Sequence, residues 1–131
     1  IIHLFTVDDL HYLHNGGRLS KSAAVLGSII NIKPILFVNN NGELKLTDKV
    51  RGRKKSLLYL ISKTISDISP QGKDIVMISH CDCEEDAMYI YSHLKENIDI
   101  KEIIVNQIGP TIGSHSGPGT LAVYYESAKR E

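Results

Sequence analysis

Charge of either sign is not in excess in this chain, long apolar runs are missing, and cysteine is scarce. Fifteen Lys and Arg balance fifteen Asp and Glu over 131 residues. That balance argues against a broad electrostatic pull toward nucleic acid or an anionic membrane surface. No stretch approaches the roughly 20 apolar residues of a spanning helix, so stable membrane insertion is not expected. The two cysteines, Cys81 and Cys83, are one residue apart, and a disulfide there would close a very small, strained ring. With His80 and His93 nearby they still fall short of four ligands at zinc spacing. They read as free thiols in a reducing cytoplasm, and no metal site is expected.

Standard catalytic signatures are missing too. There is no Walker A sequence and no G-x-G-x-x-G after a strand. Gly113 to Gly117 has the outline of a nucleophile elbow, but His115 holds the position where Ser is required. No catalytic residue is assigned.

What the chain does have is the run Gly113-Ser114-His115-Ser116-Gly117-Pro118-Gly119-Thr120. Three glycines and a proline in eight residues leave the backbone uncrowded, and two serines, a threonine and one imidazole sit on it. Exposed backbone N–H groups with a titratable His suit capture of a small anion or a carbonyl oxygen. The pattern predicts a ligand-facing loop anchored on the following apolar run, Leu121 to Tyr125. Two further features carry cations. Gly16-Gly17-Arg18 places a guanidinium, suited to forked recognition of carboxylate or phosphate, after a flexible pair. Lys49, Arg51, Arg53, Lys54 and Lys55 form a basic cluster at a helix start, against the macrodipole, which points to an anionic partner surface or a solvated face.

Periodicity predicts six strands and three substantial helices in one domain. The strands are Ile2–Val7, Ile35–Val38, Glu43–Thr47, Asp74–Ser79, Ile100–Ile108 and Leu121–Tyr125, with a short helical turn over Leu10–His14. Asn39-Asn40-Asn41-Gly42 signals a hairpin. Ser20 reads as the N-cap of a helix running to about Asn31, apolar nearly all round and ended by Lys33-Pro34. A second helix runs from Arg53 to Ile68, with Leu57, Ile61, Ile65 and Ile68 on one face. The third runs to Asn97, opened by Asp82 and Glu85 as a capping box, and buries Ala87, Ile90, Tyr91 and Leu94. The last two helices read as crossovers that favour parallel pairing, while the hairpin forces an antiparallel pair, so the sheet is mixed. So few helices leave one sheet face to be covered mainly by something outside this chain.

At this point the motifs resemble a known family. Asp8-Asp9-Leu10-His11-Tyr12-Leu13, Gly16-Gly17-Arg18-Leu19-Ser20-Lys21 and Ala23-Ala24-Val25-Leu26-Gly27-Ser28 are followed by Asn31-Ile32-Lys33-Pro34-Ile35-Leu36 and Val50-Arg51-Gly52-Arg53-Lys54-Lys55. Ile108-Gly109-Pro110-Thr111-Ile112 leads into the glycine-rich run. Together, in this order and over nearly the whole chain, they resemble the DegV family of bacterial fatty-acid-binding proteins. The match is to the C-terminal of the family's two domains. Residues 1–131 are therefore expected to be a C-terminal lipid-binding domain without its N-terminal domain, in keeping with a chain that opens in mid-strand without a Met.

The resemblance implies an α/β two-layer sandwich with a mixed six-stranded sheet. It implies a long-chain fatty acid in an apolar tunnel between the two domains, and no other cofactor. His115 would lie near the acyl carboxylate, with Arg18, Ser116, Gly117 and Thr120 around it. Leu13, Leu19, Leu26, Ile30 and Phe37 are expected to line the tail pocket. The family serves a fatty acid kinase as its acyl carrier, so Arg51 and Arg53 are expected to face that partner, and the domain is a cytoplasmic carrier rather than an enzyme. Ser116 stands where the family often has Thr, which keeps the hydroxyl and loses a methyl. The alternative is an enzyme of the dihydroxyacetone-kinase-like class, in which His115 holds a small carbonyl substrate.

Overall fold

The computed structural model describes residues 1–20 and 31–129. The predicted helix from Ser20 to Asn31, with Leu26 and Ile30, lies almost wholly outside those residues.

Strand β1 (Ile2–Thr6) alternates its side chains between two environments: Leu4 packs into one apolar cluster and Phe5 into another. Helix α1 (Leu10–Asn15) starts because the Asp9 side chain accepts from the His11 backbone N–H at 2.8 Å, and it buries Leu10 and Leu13, three residues apart. Strand β2 (Ile32–Val38) and strand β3 (Leu44–Arg51) form the expected hairpin. Its turn is built by Asn39, whose side-chain oxygen accepts from the backbone N–H groups of Asn41 and Glu43 at 3.0 and 2.9 Å. Helix α2 (Arg53–Asp67) buries Leu57, Leu60, Ile61 and Thr64, one face of a helix. Strand β4 (Ile75–His80), helix α3 (Glu84–Asn97), strand β5 (Glu102–Gln107), helix α4 (Pro110–Ser116) and strand β6 (Leu121–Tyr125) complete the chain.

The strands form one mixed sheet in the order β3-β2-β1-β6-β4-β5. Among the described residues only β4 and β5, joined through α3, pair in parallel. The crossover through α2 does not produce a parallel pair, because β6 and β1 pair antiparallel between β4 and the hairpin. Helices α2 and α3 pack one face of the sheet around Leu4, Ile35, Val76, Ile78, Val123 and Tyr125. On the other face, among the described residues, α1 and α4 cover one end, around Phe5, Leu13, Leu36 and Ala122. Ile75 and Met77, which alternate with buried Val76 and Ile78, stay exposed there. Among the described residues this face is incompletely covered.

Four local expectations change. Pro34 does not precede β2 but lies inside it, buried, next to a register shift between Ile35 and Leu36 that suits a residue with no N–H to give. Strand β3 runs on to Arg51, so Lys49 and Arg51 are strand residues rather than a helix start. Helix α3 begins at Glu84 with Cys83 at its N-cap, and Asp82 sits outside it at φ 54°, so there is no Asp82–Glu85 capping box. Finally, the glycine-rich run is not an open loop: Pro110 to Ser116 is helical.

Candidate functional site

Helix α4 starts with Pro at its first position, where the missing N–H costs nothing. Its later residues then point into a cleft against the open side of the sheet. The cleft has a volume of about 270 Å³. Phe5, Val38, Leu44, Ala122 and Tyr124 form its floor from four adjacent strands, and α1 contributes Leu13. Exposed Arg18 and Thr111 and half-buried His115 line its mouth, above buried Ser116 and Thr120. The structure therefore gathers Leu13, Arg18, His115, Ser116 and Thr120 from the predicted set into one place. Leu19 packs against the same apolar cluster.

The mouth offers fewer hydrogen-bond donors than the sequence suggests. Backbone N–H groups of Gly113, Gly117, Gly119 and Thr120 already donate within the protein, to Gly109, Gly113, Cys81 and Gly117. The anion-cradling backbone expected of this run is thus closed on itself by helix and turn. The hydroxyls are also committed: Ser116 donates to the Ile112 carbonyl at 3.1 Å and Thr120 to the Gly117 carbonyl at 2.8 Å. A hydroxyl has one proton to give, so both line the cleft while offering a carboxylate none. Two groups remain. Arg18, exposed, donates one guanidinium N–H to the Gly16 carbonyl at 2.6 Å and keeps others free. His115, half-buried, donates from Nδ1 to the Thr111 carbonyl at 2.7 Å, which leaves Nε2 for a ligand. A charged ring donates there and a neutral one accepts.

Gly117 does not line the cleft. It ends α4 at φ 84° against the Tyr12 ring, where a side chain has no room. Phe37 is misplaced by the sequence reading. It alternates with Leu36 and Val38, so it points to the α2–α3 side and borders a separate cavity of about 390 Å³ with Ile2, Leu4 and Tyr125.

The two arginines expected to face a partner differ. Arg51 is exposed on β3, on the side opposite its neighbour Val50, which packs against the helix-side core. Arg53 is held by Asp86 at 2.8 Å and Asp8 at 3.2 Å, which ties the β1–α1 connection to the starts of α2 and α3. The same Arg53 lies 3.6 Å from the Cys83 sulfur. Burial pushes the Cys83 thiol up from its ordinary value, and the Arg53 charge opposes that only in part.

Sequence reasoning missed His3, Phe5, Val38, Leu44, Ala122 and Tyr124 as cleft residues. Each lies on the open side of its strand, and their period-two spacing could have placed them there. His3 stacks edge-on against Tyr124 at 5.1 Å, and the Tyr124 hydroxyl meets Ser79 at 2.8 Å.

Among the described residues, one sheet face packed by helices and the other partly open beside an apolar cleft lined by Arg18 and His115 define an α/β domain of the two-layer class. A family model described as uncharacterised proteins of the DegV family matches residues 1–128, and the chain belongs to that family. A DegV domain-containing protein of Clostridium perfringens is 43% identical over all 131 residues, which make up 45% of its own length. Among solved structures, a DegV lipid-binding protein from Thermotoga maritima is 31% identical with a TM-score of 0.79, over 99% of this chain and 44% of that one. A DegV protein from Ruminococcus gnavus with vaccenic acid is 30% identical with a TM-score of 0.80, over 93% of this chain and 43% of that one. The chain spans less than half the length of these relatives. None of the described helices is long and apolar enough to cross a membrane.

Proposed function

We propose that this domain forms one wall of a slot for a long-chain fatty acid. The acyl tail lies on Phe5, Leu13, Val38, Leu44 and Ala122, and the carboxylate meets Arg18 and the Nε2 of His115. The opposite wall is an N-terminal domain that covers the open sheet face, so residues 1–131 act as the C-terminal half of a two-domain carrier. The carrier works in the cytoplasm and presents the carboxylate to a fatty acid kinase. The domain itself does no chemistry, and exposed Arg51 is its contact for that kinase.

The observation that carries this reading is the cleft, which joins an apolar floor to one guanidinium and one imidazole. Its volume of about 270 Å³ is at the low edge of complete ligand sites, roughly 300–1,000 Å³, as half a site would be. The fatty acid in the Ruminococcus gnavus relative and the lipid-binding description of the Thermotoga maritima relative agree with the ligand class.

Native mass spectrometry of the two-domain protein, purified from cells without delipidation, tests it. A non-covalent adduct with the mass of a C16–C18 fatty acid is expected. A lipid-free protein that ignores added palmitate refutes it, and so does a small covalent adduct that disappears in His115→Ala.

A further inference from the structure

We propose that Gly16 is the positioning residue of the cleft mouth: its missing side chain seats the His115 imidazole, and its carbonyl fixes the Arg18 guanidinium. The inference deepens, and rests on, the reading of the cleft as a fatty-acid head-group site.

The backbone does not require glycine at this position. Gly16 caps α1 at φ −79° and ψ 1°, which any residue adopts. A neighbour requires it. A Cβ on Gly16 would lie 2.6 Å from Cδ2 and 3.3 Å from Cγ of His115, and 3.3 Å from the Tyr12 carbonyl oxygen. Gly17 is the reverse case: at φ 73° its turn demands glycine, and nothing lies within 4 Å. The Gly-Gly pair before Arg18 therefore divides two tasks. One residue turns the chain, and the other leaves room for a ring.

The ring has no free retreat. His115 Nδ1 is tied to the Thr111 carbonyl at 2.7 Å, so a rotation away from Gly16 breaks that bond and re-aims Nε2. Nor can the two helices slide apart at no cost. The contact is reciprocal: Tyr12 of α1 packs on Gly117 at the end of α4, where a Cβ would lie 2.6 Å from the ring. Each helix thus ends on a glycine that receives an aromatic ring from the other. The Gly16 carbonyl also accepts from the Arg18 guanidinium at 2.6 Å, so both Arg18 and the His115 ring take their positions from one residue.

The test is a double-mutant cycle in the two-domain protein, with palmitate and 1-hexadecanol as ligands of equal tail and different head. Gly16→Ala is expected to lower the preference for palmitate over hexadecanol about tenfold, the range of one hydrogen bond to a charged group. In the His115→Ala background the ring is gone, so adding Gly16→Ala is expected to change the preference by less than twofold. Full additivity, or equal loss of both ligands in the single variant, overturns the proposal. Should Gly16→Ala fold poorly, the double variant is expected to recover the melting temperature, and a double variant that melts as low as the single overturns it. A nitrogen NMR signal of His115 that does not move in ligand-free Gly16→Ala also overturns it. That measurement decides the role of Gly16 even if wild-type protein takes no palmitate, a result that would refute only the head-group reading.

Discussion

Ala122 is the smallest residue on the cleft floor and the most direct place to ask whether that space holds an acyl chain. It lies on β6, which pairs with both β1 and β4, opposite Phe5 and Ser79, and it is 5% exposed. Ala122→Leu sends three more carbons into the cavity of about 270 Å³. If an acyl tail occupies that room, about three methylenes lose their burial. At ~0.8 kcal/mol each this is about 2.4 kcal/mol, or roughly 50-fold in Kd. Because Ala122 lies at the edge of its buried cluster and lines the cleft, the new side chain is expected to extend into that space and the melting temperature to change little. Displacement of a fluorescent fatty acid from the two-domain protein reads the affinity, and thermal unfolding monitored by circular dichroism reads the stability. A folded variant that binds within threefold of wild type refutes the placement of the tail. A loss of 1–3 kcal/mol in stability, the ordinary cost of overpacking, refutes it as well, because it would mark the space as core.

Phe37→Ala is expected to give the opposite signature, a stability loss of about 1–3 kcal/mol with fatty-acid affinity within twofold, because Phe37 packs on the α2–α3 side. Chemical denaturation and the same displacement assay check both halves. Arg51→Glu is expected to slow phosphorylation of the bound acid by a fatty acid kinase about tenfold without changing its Kd. Arg53→Glu instead is expected to lower stability by about 1 kcal/mol, because Asp8 and Asp86 lose their cation; reversed outcomes would exchange the two roles. The Asp9 carboxyl is held below its ordinary 3.8, first by the His11 backbone N–H and then by the His11 ring. A lowered folded value means that its stabilisation is complete above the unfolded pKa and is lost as pH falls through the folded one. Asp9→Asn is therefore expected to flatten the loss of α1 stability below about pH 4, and Asp9→Ala to cost about 1 kcal/mol at pH 7, both followed by denaturation against pH.

How far the sequence led depends on which force set each element. Strands β1, β4 and β6 were legible because alternation and burial agree, and α2 because Leu57 and Ile61 recur at helical spacing. Helix α4 was hidden because Gly109, Gly113 and Gly117 lower helix propensity. Its one start signal, Pro110, was overshadowed by that glycine density. The far half of β3 has no apolar alternation at Asp48-Lys49, and pairing with β2 extends it, a tertiary cause that no local window contains. Arg18 and His115 were found through residue chemistry and family resemblance, and the structure brings them to one mouth. Phe37 failed because an aromatic in a strand announces burial without saying which face.

The placement of His115 on a helix changes what the mouth can do. On an open loop, several backbone N–H groups would share a carboxylate, and the imidazole would be one donor among many. On α4 those N–H groups are closed into the helix and the turn after it, and the hydroxyls of Ser116 and Thr120 close onto nearby carbonyls. On the proposed reading, selection for an acid over an alcohol rests chiefly on one guanidinium and one ring, each tied at its far side to a carbonyl oxygen. Such a mouth orients and adds little affinity. A sixteen-carbon tail at ~0.8 kcal/mol per methylene offers roughly 10 kcal/mol before ordering costs, against about 1.5–3 kcal/mol for a hydrogen bond to a charged group. Affinity is therefore expected to follow tail length and floor residues such as Ala122, and head-group discrimination to follow Arg18, His115 and Gly16. A carrier that must hold its acyl chain firmly and still present the carboxylate to another protein needs those two properties to be separable.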